Sequence, residues 1–164
     1  MKEKQMKKML VVAAVICVGL LAGGAWAQSS SSEAEQAIRP QMAKMFQAAN
    51  AHDTDAFMAT MARRPDLVFA INGEIIRGWD ALHTQQLKWW NNGKSDAKYA
   101  QDGAPGFMAL GPNVEIVTWP LSARGTLPNG KPLTSAFVVT YVWQRLPQGW
   151  RIVYGHESWN KPPG

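Results

Sequence analysis

Three long segments rich in strand-forming residues limit most strongly what this chain can fold into. They cover residues 113–126, 132–146 and 150–159. The sequences between them, Pro128-Asn129-Gly130 and Pro147-Gln148-Gly149, are typical of tight turns. Because tight turns join antiparallel neighbours, the segments predict an antiparallel meander, and two shorter strands are predicted at 97–101 and 106–110.

The residues before these strands have the spacing of helices. Ser32 and Glu35 have capping-box spacing for a first helix, which Pro40 either bends or marks as the true first turn. The apolar stripe of this helix is Ile38, Met42, Met45, Phe46 and Ala49.

Two further helices and a hairpin are predicted between residues 53 and 93. Asp53 can cap a short second helix that stops at residues 63–65, and Asn72-Gly73 is typical of a hairpin turn. A third helix follows from Trp79, with a stop at residues 91–93.

This order of elements predicts an α+β domain, a cone of three N-terminal helices packed on a strongly curved, largely antiparallel sheet. Pro120 lies inside a predicted long strand, which indicates an edge or a bulge at that point. The mouth of such a cone is a natural pocket.

Residues 1–27 have the pattern of a secretory signal peptide. Lysines precede the uncharged apolar run at 9–22, and Ala25-Trp26-Ala27 matches the small-x-small cleavage pattern. A permanent membrane anchor is the alternative, but the run is shorter than the roughly 20 residues that span a bilayer. We expect cleavage after Ala27, a flexible spacer at 28–32, one domain at 33–160 and a periplasmic or secreted location.

The composition of the chain excludes several function classes. The leader holds four of the 17 basic and one of the 12 acidic residues, so 13 basic and 11 acidic residues remain, which does not favour binding to nucleic acid or to a membrane after the leader is removed. Cys17, the single cysteine, also lies in the leader, so disulfides and thiolate chemistry are not expected in the mature protein.

Two sequence motifs add a family resemblance. Residues 73–82, GEIIRGWDAL, and residues 149–158, GWRIVYGHES, together with the order of elements resemble the nuclear transport factor 2-like superfamily, in particular its SnoaL-like small bacterial proteins. The resemblance covers about residues 34–159 and implies a nuclear transport factor 2-like, or cystatin-like, fold. No aspartate here matches the pocket aspartate of the ketosteroid isomerase and polyketide cyclase branches. This superfold serves enzymes, binding modules and oligomerisation domains, so it implies no single function.

Alternation along the last predicted strand suggests a candidate site. Trp150, Ile152, Tyr154, His156 and Ser158 share one face, and with an even turn Tyr141 joins them. His156 could act there as a general base or bind an oxyanion, oriented by Ser158 and Tyr141. The structural alternative is a histidine that hydrogen-bonds a neighbouring element and holds the edge of the sheet.

Aromatic residues on the third predicted helix extend this candidate site. His83 lies on the same stripe as Trp79 and Trp90, which could stack against a flat ligand or could simply form core. The predicted ligand contacts are therefore Trp79, His83, Trp90, Tyr141, Tyr154, His156 and Ser158.

Three functions stay open from the sequence. The leading hypothesis is an exported protein that binds a small, mainly apolar molecule. The alternatives are a cofactor-free isomerase, cyclase or dehydratase with His156 as base, and a non-catalytic oligomerisation module. No cofactor and no metal site are expected, because phosphate loops, Gly-x-Ser-x-Gly elbows and clustered metal ligands are missing from the sequence.

A homodimer is expected on two grounds. If the face of His156 points inward, the opposite face of the sheet presents an apolar, β-branched patch, and the family resemblance implies pairing through that face. The residues of this patch are Val138, Thr140, Val142 and Val153.

Overall fold

The computed structural model describes residues 23–127 and 129–160, with side chains from Glu33 onward. Within these ranges it contains three helices and one seven-stranded sheet. The helices are α1 (Gly23–Ala51), α2 (Thr54–Met58) and α3 (Trp79–Trp89), and the strands are β1 (Val68–Ile71), β2 (Glu74–Arg77), β3 (Lys98–Gln101), β4 (Gly106–Gly111), β5 (Val114–Thr126), β6 (Pro132–Leu146) and β7 (Gly149–Trp159). The apolar run of the predicted signal peptide lies outside the described residues, so the signal peptide stays a prediction.

The sheet is largely antiparallel, as predicted. Its strand order is β2-β1-β7-β6-β5-β3, with β4 also paired to β5. The exception is the parallel pair β1 and β7, which brings Phe69 beside Gly155. The meander of β5, β6 and β7 is therefore the centre of the sheet, and the first hairpin is added to its free side.

Turn chemistry explains the predicted hairpin and the end of the third helix. Asn72 and Gly73 have φ angles of 52° and 83°, the left-handed pair that a two-residue hairpin turn requires. Asn91, Asn92 and Gly93 have φ angles of 48°, 51° and 83°, so the chain leaves the helical path directly after α3. Both predictions are confirmed.

Helix α1 begins earlier than the capping-box spacing predicts. From Gly23, the first residue described, it runs without interruption through residues 28–32, and Pro40 lies in its interior rather than in its first turn. Ile38 and Met42 beside the proline are buried, and this burial compensates for the backbone hydrogen bond that proline removes. The cleavage site and the spacer concern the processed chain and stay predictions.

Helix α2 ends earlier than predicted, because pairing with the sheet takes over from it. Asp53 caps its start as expected, accepting a hydrogen bond from the N–H of Ala56 at 3.0 Å. After Met58, however, Ile152 donates its N–H to Thr60 and accepts one from Ala62, at 3.0 and 2.8 Å. These bonds require an extended backbone, so the helix cannot continue to residue 63.

Pro120 marks a change of neighbour along the long strand β5. Strand β4 pairs with β5 up to Thr118, and β3 pairs with it from Leu121 onward. Proline has no N–H to offer a neighbour, so its position between the two pairings leaves no strand hydrogen bond unmade on that side. Of the predicted edge or bulge, the structure shows a local edge between β4 and β3, whereas the pairing of β5 with β6 continues past Pro120 without a shift.

Strand β7 contains a bulge that reverses its faces. Val142 pairs with Tyr154, but the next residue, Trp143, pairs with Ile152, so Val153 is an extra residue in β7. Before the bulge, Trp150 and Ile152 point to the inward face, which packs against the helices. After it, Gly155, Glu157 and Trp159 take the inward positions.

In the described part of the chain, no helix is both long and apolar enough to cross a bilayer.

Candidate functional site

A cavity of about 640 Å³ lies between the helices and the inward face of the sheet. Met45, Phe46 and Ala49 of α1 and Phe57 of α2 form part of its wall. Trp89 at the end of α3 and Trp90 directly after it extend this wall. The sheet closes the other side. This volume is in the range of pockets that enclose a small organic molecule.

Aromatic rings form most of the sheet side of the cavity. Trp159 stacks on Phe137 with ring centres 4.1 Å apart, and Tyr99 meets Phe137 edge to face at 6.4 Å. Leu121 and Leu133 supply aliphatic surface between the rings. The rings that the sheet contributes to the wall are Tyr99, Trp119, Phe137, Tyr141 and Trp159.

Glu157 is the acidic group inside this aromatic wall. One of its carboxylate oxygens accepts a hydrogen bond from Nε1 of Trp159 at 3.0 Å. Burial raises the pKa of Glu157 to about 7, and the hydrogen bond from Trp159 opposes this only in part. The carboxyl group therefore exists in both protonation states near neutral pH, as a general acid or base requires.

Two tyrosine hydroxyls share the cavity with Glu157. Tyr99 accepts a hydrogen bond from Nε1 of Trp90 at 2.9 Å, and burial, more than its charged neighbour Glu157, raises its pKa to about 12. Burial and then the charge of Glu157 raise the pKa of Tyr141 well above its ordinary value. Both hydroxyls stay protonated at physiological pH, so they can donate hydrogen bonds to a bound ligand.

The rim of the cavity is polar and exposed. Asn72 and Glu74 of the first hairpin and Lys88 of α3 line it, together with Asn129 of the turn between β5 and β6. Charged groups at the rim thus lie in water, whereas Glu157 lies among the rings.

The structure brings two of the predicted contacts, Trp90 and Tyr141, to the cavity wall. Trp79 and His83 do not line this cavity. The Trp79 ring stacks on His83 at 4.9 Å and donates its N–H to the carbonyl of Met58 at 3.2 Å, and Nε2 of His83 lies 2.8 Å from the Asp55 carboxylate. These contacts attach α3 to α2. Trp79 and His83 therefore have a structural role in this packing and do not contact the cavity.

The placement of Tyr154, His156 and Ser158 in the pocket is wrong for this cavity. All three lie past the bulge at Val153 and point to the outer face, where His156 is exposed and pairs with Thr140. Strict alternation along β7 assigned them inward, and the extra residue reverses that assignment. His156, which was the candidate general base, therefore has no access to the cavity.

Glu157 was missed because the sequence interpretation placed it on the opposite face. The signal that could have found it is Gly155, a glycine inside a strand, which indicates a bulge or a close approach. The structure shows both, since a Cβ at Gly155 would lie 2.5 Å from the Phe69 ring.

Among the described residues, no group of three or more potential metal ligands comes together. His52, which neighbours Asp53 in the sequence, is buried and hydrogen-bonds the carbonyl of Ala97 at 2.7 Å.

Comparison with solved structures identifies the fold. The chain is similar to a nuclear transport factor 2-like superfamily protein from Salmonella enterica serovar Typhimurium, with 20% identity, 81% of this chain and 95% of that chain covered, and a TM-score of 0.65. A cystatin-like fold protein from Caulobacter vibrioides gives 19% identity, coverages of 79% and 92%, and a TM-score of 0.68. A ketosteroid isomerase-like protein from Erwinia carotovora atroseptica gives 18% identity, coverages of 79% of this chain and 98% of that chain, and a TM-score of 0.65.

The protein thus has the nuclear transport factor 2-like, or cystatin-like, fold, with α+β content and a curved, mainly antiparallel sheet. No family model and no curated protein matches the sequence.

Proposed function

We propose that this protein binds a small, mainly apolar molecule in the cavity between the helices and the sheet. The observation that carries the proposal is the combination of a volume of about 640 Å³ with a wall of aromatic rings and few inner polar groups. Sites for small organic ligands have this composition, because apolar contact supplies affinity and a few polar groups fix orientation.

A proton-transfer activity at Glu157 is the second candidate function. Its pKa of about 7 suits a group that both accepts and donates protons at neutral pH, and the hydroxyls of Tyr99 and Tyr141 can stabilise negative charge on a ligand oxygen. In this proposal Glu157 replaces His156 as the base of a cofactor-free isomerase, cyclase or dehydratase. The solved ketosteroid isomerase-like protein with the same fold supports this reaction class.

Export and dimerisation complete the proposal. The leader pattern at residues 1–27 supports a periplasmic or secreted protein. The outer face of β6 supports a homodimer, since Val138 is 40% exposed and lies beside Thr140 and Val142 on the same face. The proposed cone, in which the three helices close over the curved sheet, would leave this outer face free for pairing.

Mass spectrometry under native conditions tests the binding proposal. The exported protein is incubated with a metabolite extract, and the retained small molecules are identified. Ala49→Phe fills part of the cavity, whereas Ala37→Phe places the same ring on the exposed side of α1. We expect retention by the wild type and by Ala37→Phe but not by Ala49→Phe.

Other results of this experiment would separate the alternatives. Turnover of the retained molecule that is lost in Glu157→Gln supports the enzyme. An empty cavity in a stable oligomer, with no difference among the variants, contradicts the binding proposal and supports an oligomerisation module. Light scattering on Val138→Lys/Val142→Lys tests the dimer, which this change should convert to a monomer.

A further inference from the structure

The charges inside the cavity are not balanced. Glu157 receives one hydrogen bond, from Trp159, and its second oxygen has no hydrogen-bond partner among the described residues. None of the ion pairs formed by the described residues includes it. Lys88, the basic residue among those that line the cavity, is exposed at the rim. A largely enclosed carboxylate without a cation is costly, and a positively charged partner would reduce that cost.

The rings around this carboxylate favour the same sign of charge. The face of an aromatic ring is electrostatically negative, so it attracts a cation and repels an anion. Trp159 contacts Glu157 directly, and Trp90, Tyr99 and Phe137 line the same cavity. The carboxylate and the aromatic rings of the wall together form an environment suited to positive charge.

We propose that the cavity binds an organic cation, a protonated amine or quaternary ammonium attached to an apolar, preferably aromatic body. This inference rests on the proposed binding function and names the ligand class. The ammonium group pairs with the carboxylate of Glu157, and the apolar body lies against the rings of the helices and the sheet. Carboxylates and phosphates are excluded, because their charge would lie beside Glu157 with no inner cation to neutralise it.

Three probes with one naphthyl body test this inference. Naphthylmethyl-trimethylammonium is permanently charged, naphthylmethanol is neutral and naphthylacetate is anionic, so the probes share the naphthylmethyl body and differ in the charge of the group attached to it. Calorimetry at about pH 8 should show the cation binding at least about tenfold more tightly than the alcohol. Naphthylacetate should bind more weakly than either of the other probes.

Two variants and a second pH assign the preference to Glu157. Glu157→Gln should remove the preference for the cation, whereas Glu33→Gln, which neutralises an exposed carboxylate on α1, should keep it. Lowering the pH to about 5.5 should reduce the preference in the wild type, because Glu157 becomes protonated. The other ionisable groups that line the cavity are Glu74 and Lys88 at the rim and the protonated Tyr99 and Tyr141.

The outcomes separate this inference from the proposed function. If the cation and the alcohol bind equally, or if Glu157→Gln keeps the preference, the cation inference is overturned while the binding function stands. Preferred binding of naphthylacetate would overturn the inference in the same way. If no probe binds and the extract experiment also yields an empty cavity, both proposals fail.

Discussion

The inward face of the sheet is packed solid at one end and open at the other, although the same two strands form both ends. Before the bulge in β7, Ile152 and its partner Trp143 are fully buried. After it, the inward positions of β7 are Gly155, whose side-chain space is taken by the Phe69 ring, and Glu157 and Trp159, which line the cavity. The extra residue Val153 thus decides which side chains of β7 line the cavity.

A second comparison, between two buried carboxyl groups, shows what distinguishes a site from a packing defect. Glu115 lies at the packed end with both oxygens buried and with no hydrogen-bond partner among the described residues. Burial, then the charge of Glu35, raises its pKa. Glu157 has a raised pKa too, but it also has a donor in Trp159 and access to the cavity. A shifted pKa alone therefore does not define the site. Access to a ligand does.

The largest effect is expected when one tryptophan at the packed end of the sheet and one at the open end are replaced by alanine. Trp143→Ala should lower the free energy of unfolding by about 3–5 kcal/mol, since a fully buried ring leaves a void. Trp159→Ala should cost no more than about half of that, because its partly exposed ring already borders the cavity. Urea unfolding of both variants measures the difference. Equal costs would mean that the two ends do not differ in packing.

The next largest effect is expected in the pH dependence of stability, which reports the protonation of Glu157 at the open end. The folded protein holds the Glu157 proton to about pH 7, whereas the unfolded chain releases it near the ordinary value of 4.5. The folded state binds more protons between these values, so this group makes stability fall as the pH rises through that window, by about 3 kcal/mol in all.

Glu157→Gln removes this loss and keeps an acceptor for the N–H of Trp159. The variant should therefore be more stable than the wild type at about pH 8 and similar to it at about pH 4.5. Thermal unfolding at both pH values is the measurement, with Glu33→Gln as the control. A wild-type protein whose stability does not fall across this window, relative to Glu157→Gln, would contradict the raised pKa.

Gly155→Ala tests the contact that accompanies the bulge. The new Cβ would lie 2.5 Å from the Phe69 ring, so the ring or the strand must move, at a cost of about 1–3 kcal/mol. Gly106→Ala is the matched control, since its Cβ would meet its nearest neighbour at 4.0 Å. Urea unfolding should show a loss for Gly155→Ala alone. Similar stabilities for the two variants would show that the space beside Phe69 is not limiting.

Most of the fold follows from the sequence because its signals are local. Asn72-Gly73 specifies a turn through its own backbone preferences, and the long strands and the cap at Asp53 have similarly local causes. The end of α2 could not be predicted, because it depends on hydrogen bonds to Ile152, which is distant in the sequence.

The site was harder to predict because one residue decides which side chains face inward. Trp90, directly after α3, and Tyr141, on the regular strand β6, do reach the cavity wall. Beyond the bulge, every assignment on β7 is reversed, so Glu157 replaces His156. Alternation transmits a single irregularity to all following residues, whereas an error at a helix end affects only its neighbours.

The smallest effect is expected for His156→Gln, although strict alternation along β7 would place this residue in the cavity. His156→Gln changes an exposed side chain on the outer face, so the free energy of unfolding should stay within about 0.5 kcal/mol of the wild type. Binding of the naphthyl cation should be unchanged too, because the cavity wall contains Glu157 and not His156. Calorimetry and thermal unfolding on the same preparation provide both values, with Glu157→Gln measured in parallel. A loss of cation binding in His156→Gln and not in Glu157→Gln would place His156 inward, and the two ends of the sheet would then share one unbroken alternation.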